Sequence, residues 1–352
     1  MGLRNKRPSM HDVSALANVS KATVSRCVNA PHIVQPATFK RVVAAMNQIG
    51  YKGNPAKADA FPETTLIVAL MIPTIRSSLF AETTYGVEKI ARANNHHVLI
   101  GNSQYSAENE RAFLELWLKL PLRGLILTGF FDSNRDLVHK FAGRGIPCVI
   151  TYETLADDRV NYVGVDNFEA AYRATEYLMS LGHRDIASIL GPFSGIRRTR
   201  RRLDGYVAAL SGGGLDRRDE YIIETEPTLR DGKEAAARLL SLDEPPTAIF
   251  CAGDALAMGA IAQIKDAGLK VPDDLSVMGF DDIEFAAFCD PPLTTMKLPS
   301  YEMGQLAMKI FLDTDRTGKP HRQYRLKTDL VIRNSCAPPK NQQVLRHPAL
   351  VG

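Results

Sequence analysis

From residue 66 onward the chain repeats one unit, a short apolar run followed by an amphipathic helical segment. LIVALMIP (66–73), HHVLIGN (96–102), GLILTGF (124–130) and PCVIT (147–151) read as strands. The rhythm restarts with YVGVD (162–166), IASILG (186–191), YIIET (221–225), TAIFCAG (247–253) and LSVMGFDD (275–282). Strands that are apolar almost throughout are buried on both faces, and alternation with helices makes their sheet parallel. Two successive α/β lobes of similar size are therefore expected, with a ligand position at the strand ends between them.

The first sixty residues have a different style. Ser9 and Asp12 have capping-box spacing, and Val13, Leu16 and Ala17 recur at helical intervals. Asn18-Val19 suits a turn, and Ser20 suits the N-cap of a second short helix on which Val24 and Val28 lie one turn apart, facing a neighbour. Pro36 opens a third helix through Phe39, Val42, Val43, Met46 and Ile49, which Gly50 closes. After Tyr51, KGNPAKADAFPETT is small and polar, as a linker would be.

Charge separates the same two regions. Nine cations against Asp12 and Asp59 give residues 1–61 a net charge of +7, while the remainder carries −3. A basic head on a mildly acidic body suits nucleic-acid binding, because cations on phosphates release condensed counterions. Five scattered cysteines (Cys27, Cys148, Cys251, Cys289, Cys336) lack ligand spacing and read as reduced thiols. The opening MGLRNKRPSMHD lacks the apolar stretch of a signal peptide, and no apolar run is long enough for a membrane span, so a cytoplasmic protein with no membrane partner is expected. Adjacent His96 and His97 point to opposite faces of a strand, and HExxH, P-loop, GxGxxG and GxSxG patterns are missing. No metal, cofactor or catalytic residue is expected.

MHDVSALANVSKATVSRCVN in the head, then GVDNFEAA, LGHRDIASILGP, RRLDGYVAAL, PTAIFCAGDALAMGAI, LKVPDDLSVMGFDDIEFA and PPLTT in the body, occur in an order and spacing that resembles the lactose repressor/galactose repressor (LacI/GalR) family of bacterial transcription regulators. The resemblance covers about Met10 to Asn334. It implies a small all-α helix-turn-helix head (1–51), a hinge (52–64) and an effector-binding and dimerising α/β core (65–336) of two Rossmann-like lobes, like a periplasmic sugar-binding protein. Lobe 1 is expected at about 65–163 and 294–327, lobe 2 at about 164–293 and 328–336, with a tail at 337–352. The tail carries no leucine heptads, which leaves a homodimer rather than a coiled-coil tetramer.

The resemblance also implies roles for particular residues. Lys21, Ala22 and Arg26 occupy its base-reading positions. Ser20, Thr23 and Ser25 suit caps and phosphate contacts, and Asn29 ends the same helix. Arg26 has the fork that matches guanine O6/N7, whereas Ala22 offers only an apolar contact. In the hinge, Asn54 caps a helix, Lys57 stands among residues expected to face DNA, and Ala60 falls where the family carries a leucine wedge. Phe61, one residue on, is the alternative wedge, and a weakly bending hinge is the other reading.

For the effector the resemblance implies Arg202 as the gripping cation and Asp281 as its acidic partner, a pair suited to vicinal hydroxyls or a carboxylate. Phe80 would stack on a ring and Asp166 would stand near the cleft; a core position and a helix cap are their structural alternatives. Asp254 reads as an N-cap, and RRTRRR (197–202) reads as a solvated face apart from Arg202. Gly253, Tyr152 and Leu298 depart from common family residues. The function implied is a DNA-binding regulator, a repressor acting on a pseudo-palindromic operator and controlled by a sugar, sugar acid, polyol or nucleoside. A transport-type sugar-binding protein and a sugar-modifying enzyme are the competing readings.

Overall fold

The structure, a computed structural model, describes residues 8–29, 34–51, 66–154, 160–193, 195–317 and 322–340. The chain divides into two compact units, Met1–Thr65 and Leu66–Gly352.

Among the described residues of the head there are three helices: α1 (Met10–Ala17), α2 (Lys21–Asn29) and α3 (Pro36–Ile49). Local chemistry sets their ends. The Ser9 amide donates to Asp12 Oδ2 at 2.7 Å while the Asp12 amide returns to Ser9 Oγ, a reciprocal cap built with aspartate in place of glutamate. Asn18 closes α1 in the left-handed region (φ 49°), and Gly50 (φ 69°) closes α3. Ser20 Oγ accepts from the Thr23 amide at 3.1 Å and starts α2. Val13, Ala17, Val24, Cys27, Val42 and Ala45 fill the centre.

Two expected core positions fall elsewhere. Val28 is 37% exposed and Leu16 44% exposed, while Cys27 is 5% exposed. On a helix both the third and fourth residue beyond Val24 lie near its face. Because α2 packs on α1 and α3 together, the third, Cys27, turns inward.

The core is built on two six-stranded sheets. The first comprises β1 (Leu66–Ile72), β2 (His96–Asn102), β3 (Leu122–Leu127), β4 (Cys148–Thr151), β5 (Asn161–Val165) and β11 (Gln323–Leu326), in the order β11-β5-β4-β3-β1-β2. The second comprises β6 (Ile186–Leu190), β7 (Ile222–Glu224), β8 (Ala248–Cys251), β9 (Ser276–Asp281), β10 (Thr294–Lys297) and β12 (Asp329–Val331), ordered β12-β10-β9-β8-β6-β7. Among the described residues every strand pairing is parallel except that of β10 with β12. In each sheet the strand order reverses beside the first strand, the switch point at which doubly wound sheets place ligands.

Helices cover both faces of each sheet. On the first sheet, α4 (Ser78–Ala93) pairs with α11 (Ser300–Thr317), and α5 (Ala107–Trp117) and α6 (Arg135–Gly143) lie opposite. On the second, α7 (Asn167–Ser180) pairs with α8 (Arg197–Gly212), and α9 (Leu229–Leu240) pairs with α10 (Asp254–Asp266) on the other face. Residues 294–297, expected in the first lobe, instead form β10 of the second sheet, in register with Met278–Asp281. The chain returns to the first lobe only at Leu298-Pro299, ahead of α11. The GLILTGF run also yields less strand than expected. Its strand ends at Leu127, and Gly129 (φ 74°) turns the chain.

The crossing of α4 and α11 depends on missing side chains. A Cβ on Gly304 would overlap the carbonyl oxygen of Thr83, and one on Gly86 would overlap that of Tyr301. Gly304→Ala is expected to push these backbones apart and cost about 1–3 kcal/mol, read as a lower urea midpoint with unchanged m-value. An unaltered midpoint would show that the crossing can open freely. Among the described residues, no helix is long and apolar enough to cross a membrane.

Candidate effector cleft and DNA-reading helix

In the head, α2 sorts its residues by face. Val24 and Cys27 point into the core, Lys21, Ala22 and Arg26 are exposed, and Thr23 and Ser25 are half-buried. Ser20 is exposed and shares a 2.9 Å hydrogen bond between its hydroxyl and that of Thr23. α2 contains no acidic residue, so its outer face carries only positive charge. Asn29 is the last residue of α2. The hinge residues Asn54, Lys57, Ala60 and Phe61 lie outside the described residues.

In the core, the carboxyl ends of strands from both sheets surround a cavity of about 1010 Å³. Arg202, on the second turn of α8, reaches into its floor and is 6% exposed. Its Nε donates to Asn167 Oδ1 at 2.9 Å and its Nη1 to the Ala252 carbonyl at 2.8 Å. The guanidinium lies 3.9 Å from the Phe280 ring centroid. Asp281 Oδ1 stands 3.9 Å from Arg202 Nη1, beyond hydrogen-bond reach, and has no hydrogen-bond partner. Burial lowers the Arg202 pKa to about 10, against the pull of Asp281. Burial also raises the Asp281 carboxyl to about 7, although Arg202 and Arg198 oppose it. Asp281 has a left-handed backbone (φ 118°), which turns its side chain at the strand end.

One turn before Arg202, Arg198 lies on the same face of α8 and also lines the cavity. Its Nη1 donates to the Thr128 carbonyl at 3.0 Å and stands 4.0 Å from Glu153 Oε1. Thr128 and Glu153 follow strands of the first sheet, whereas α8 covers the second, so Arg198 ties the two lobes together. Arg197 adds a second tie to Asp132 at 2.6 Å. Burial pushes the Glu153 carboxyl up, and Arg198 draws it back.

The positions marked from sequence have different outcomes. Arg202 and Asp281 meet in the cleft. Phe80 is 3% exposed and lines the cavity edge-on to Tyr152, with ring centroids 5.6 Å apart. Asp166 does not join them. Its Oδ1 caps α7 by accepting from the Phe168 and Glu169 amides, and its Oδ2 pairs with Arg325 at 2.8 Å. The next residue, Asn167, holds Arg202 and also donates to the Tyr152 carbonyl at 2.8 Å.

Asp254 caps nothing, since Gly253 holds the N-cap position. Its carboxylate instead accepts from Thr295 Oγ1 and from the Ile283 amide, anchoring the loop after Asp281. Leu298 packs in the main core cluster, while Gly253 and Tyr152 line the cavity. RRTRRR is not uniformly solvated. Arg198 is buried and Arg201 lies 4.7 Å from the Phe168 ring centroid, while Arg200 faces out toward Asp204. The one-turn spacing of Arg198 and Arg202 is the sequence signal that marks both.

Known proteins match most of this chain. The family model for bacterial regulatory proteins of the lacI family matches residues 9–54, and that for a periplasmic binding protein-like domain matches residues 175–336. The HTH-type transcriptional repressor CytR of Escherichia coli (strain K12) is 37% identical over 308 residues, covering 87% of this chain and 89% of that protein. The solved complex of the transcriptional regulator CelR with cellobiose superposes with a TM-score of 0.69 at 27% identity, covering 94% of this chain and all of that one. The lac repressor dimer bound to operator and the anti-inducer ONPF gives a TM-score of 0.68 at 25% identity over the same shares. A basic three-helix head, a two-lobed core with a buried cleft, and this extent of identity together show that the chain belongs to the LacI family, as a helix-turn-helix transcriptional regulator under small-molecule control.

Proposed function

We propose that the outer face of α2 reads the operator and that Arg202 and Asp281 hold the effector. Lys21, Ala22 and Arg26 contact base edges, with Arg26 forked onto a guanine, while Ser20, Thr23, Ser25 and Asn29 contact phosphates and fix register. Asn54, Lys57 and Ala60 or Phe61 serve the hinge at the minor groove. Two copies bind a pseudo-palindromic site, one head to each half. The protein acts in the cytoplasm as a repressor and turns over no substrate.

The observation that carries the effector reading is a buried guanidinium and carboxylate 3.9 Å apart in the cavity lining, with Asp281 Oδ1 unpaired. A ligand that donates to Asp281 and accepts from Arg202 satisfies both groups. The effector is a sugar, sugar acid, polyol or nucleoside, and its binding alters operator affinity by a coupling of about 1–3 kcal/mol.

The DNA reading is tested with Arg26→Ala. Fluorescence anisotropy at fixed salt on an operator selected from random duplexes should show specific affinity reduced by about 1–3 kcal/mol. Discrimination at one base pair should relax, while binding to unrelated DNA changes little. An equal loss on both kinds of DNA would assign Arg26 to a phosphate instead.

A further inference from the structure

Two cavity-lining side chains have polar atoms buried without a hydrogen-bond partner, and they come from opposite lobes. One is Asp281 at the end of β9. The other is Asn102 at the end of β2, whose Oδ1 is buried and unpaired. A buried polar group left unpaired costs roughly 1–3 kcal/mol, so each side chain gains by turning that atom toward a ligand group in the cavity. A carboxylate accepts only. An amide both donates and accepts, whichever way it is turned, as does a hydroxyl.

With Glu153 and Asp281 ionised, the charges around the cavity balance. Arg198 and Arg202 are matched by Glu153 at 4.0 Å and Asp281 at 3.9 Å. At the mouth, exposed Arg76 is offset by exposed Glu226. Arg198 already donates to the Thr128 carbonyl, and Arg202 to Asn167 and the Ala252 carbonyl. In that ionised state no net positive charge remains to offset the desolvation of an anion, and an anion near Asp281 is repelled. Phe80, Tyr105 and Tyr152 supply apolar walls. The volume is at the upper end of the roughly 300–1,000 Å³ usual for small-molecule sites, so a disaccharide or nucleoside fits.

Resting on the reading of this cleft as the effector site, we propose that Asn102 and Asp281 read the effector from opposite lobes and select an electrically neutral ligand with hydroxyl or amide groups toward each. The unmodified sugar or nucleoside is the effector class, and its phosphate or acid is rejected. Because one ligand satisfies a group on each lobe, it also favours the arrangement in which the lobes face each other. Asn102 thus joins Arg202 and Asp281 as a specificity-determining residue.

The test uses the full chain, thermal shift and titration calorimetry with three matched pairs. These are ribose and ribose 5-phosphate, cellobiose and cellobionic acid, and adenosine and its 5′-monophosphate. A neutral member should raise the melting midpoint with concentration, and its charged counterpart should bind at least about tenfold more weakly. Asn102→Ala should weaken the neutral ligand by about tenfold, and a ligand analogue lacking the hydroxyl it reads should bind wild type and variant alike. A merely structural Asn102 would lower the ligand-free midpoint and weaken both ligands equally, which overturns its role. Tighter binding of the charged members, lost in Arg202→Ala, overturns the neutral class while leaving the cleft as the effector site. No shift with any of the six ligands removes both.

Discussion

Arg202→Ala should leave a protein that folds less stably and no longer responds to its effector. The side chain is buried, its donors serve two acceptors, Asn167 Oδ1 and the Ala252 carbonyl, and its charge stands 3.9 Å from Asp281. Removing one partner of a buried charge pair typically costs about 3–5 kcal/mol, because the other charge stays buried without compensation. Asn167 and Ala252 lose their donor as well, so the chemical-denaturation midpoint should fall clearly. Effector affinity should drop by at least about a hundredfold, since charged hydrogen bonds contribute about 1.5–3 kcal/mol each and the carboxylate opposite is freed to shift.

Arg202→Lys separates the two effects. Lysine keeps the charge but lacks the planar fork, so it should recover part of the stability and little of the binding. Calorimetry on the folded variants decides the matter. Near-wild-type affinity in a folded Arg202→Ala protein would remove Arg202 from the effector site.

The parts of this molecule that could be read in the sequence are those fixed by neighbours along the chain. Ser9 with Asp12, Pro36 and Gly50 set helix ends through contacts a few residues away, and the helices start and stop there. β1, β2 and β6 sit within apolar runs long enough to declare themselves. β10 and β11 do not, because Thr294–Lys297 is polar at all but Met296 and Gln323–Leu326 is a largely exposed edge strand. Their strand character comes from partners distant in sequence.

The cleft divides in the same way. Arg202 and Asp281 lie in motifs, but an aspartate just ahead of a helix, such as Asp166, has the same sequence appearance whether it caps the helix or meets a ligand. Arg198 and Asn102 acquire their surroundings only when the lobes face each other, so no local pattern identifies Asn102. Val28 makes the same point in the head, since the choice between it and Cys27 is made by the packing of α2 on α1 and α3 together.

Effector affinity should depend on pH through Asp281, and with a sign that general acid unfolding cannot imitate. Burial holds this carboxyl at about 7 in the ligand-free protein, against a usual 3.8. A ligand hydroxyl donating to Oδ1 stabilises the ionised form, so the pKa in the complex is lower than in the free protein. Affinity is therefore full above about pH 8 and falls as pH drops through 7, approaching about tenfold per unit until the pKa of the complex is reached. Stability of the ligand-free fold runs the other way through the same group. Between 3.8 and 7 the folded state holds the proton that the unfolded chain has released, so the contribution of Asp281 favours folding at the acid end and is lost as pH rises. Asp254, also raised by burial and by the charge of Asp281, adds to that second slope; it faces Thr295 and the Ile283 amide rather than the ligand. Calorimetric titrations from pH 5.5 to 8.5 should thus show weakening affinity toward acid, without a matching loss of the ligand-free midpoint. Asp281→Asn should remove the affinity slope at some cost in binding at pH 8. If the slope persists in that variant, another group controls it and Asp281 does not accept from the effector.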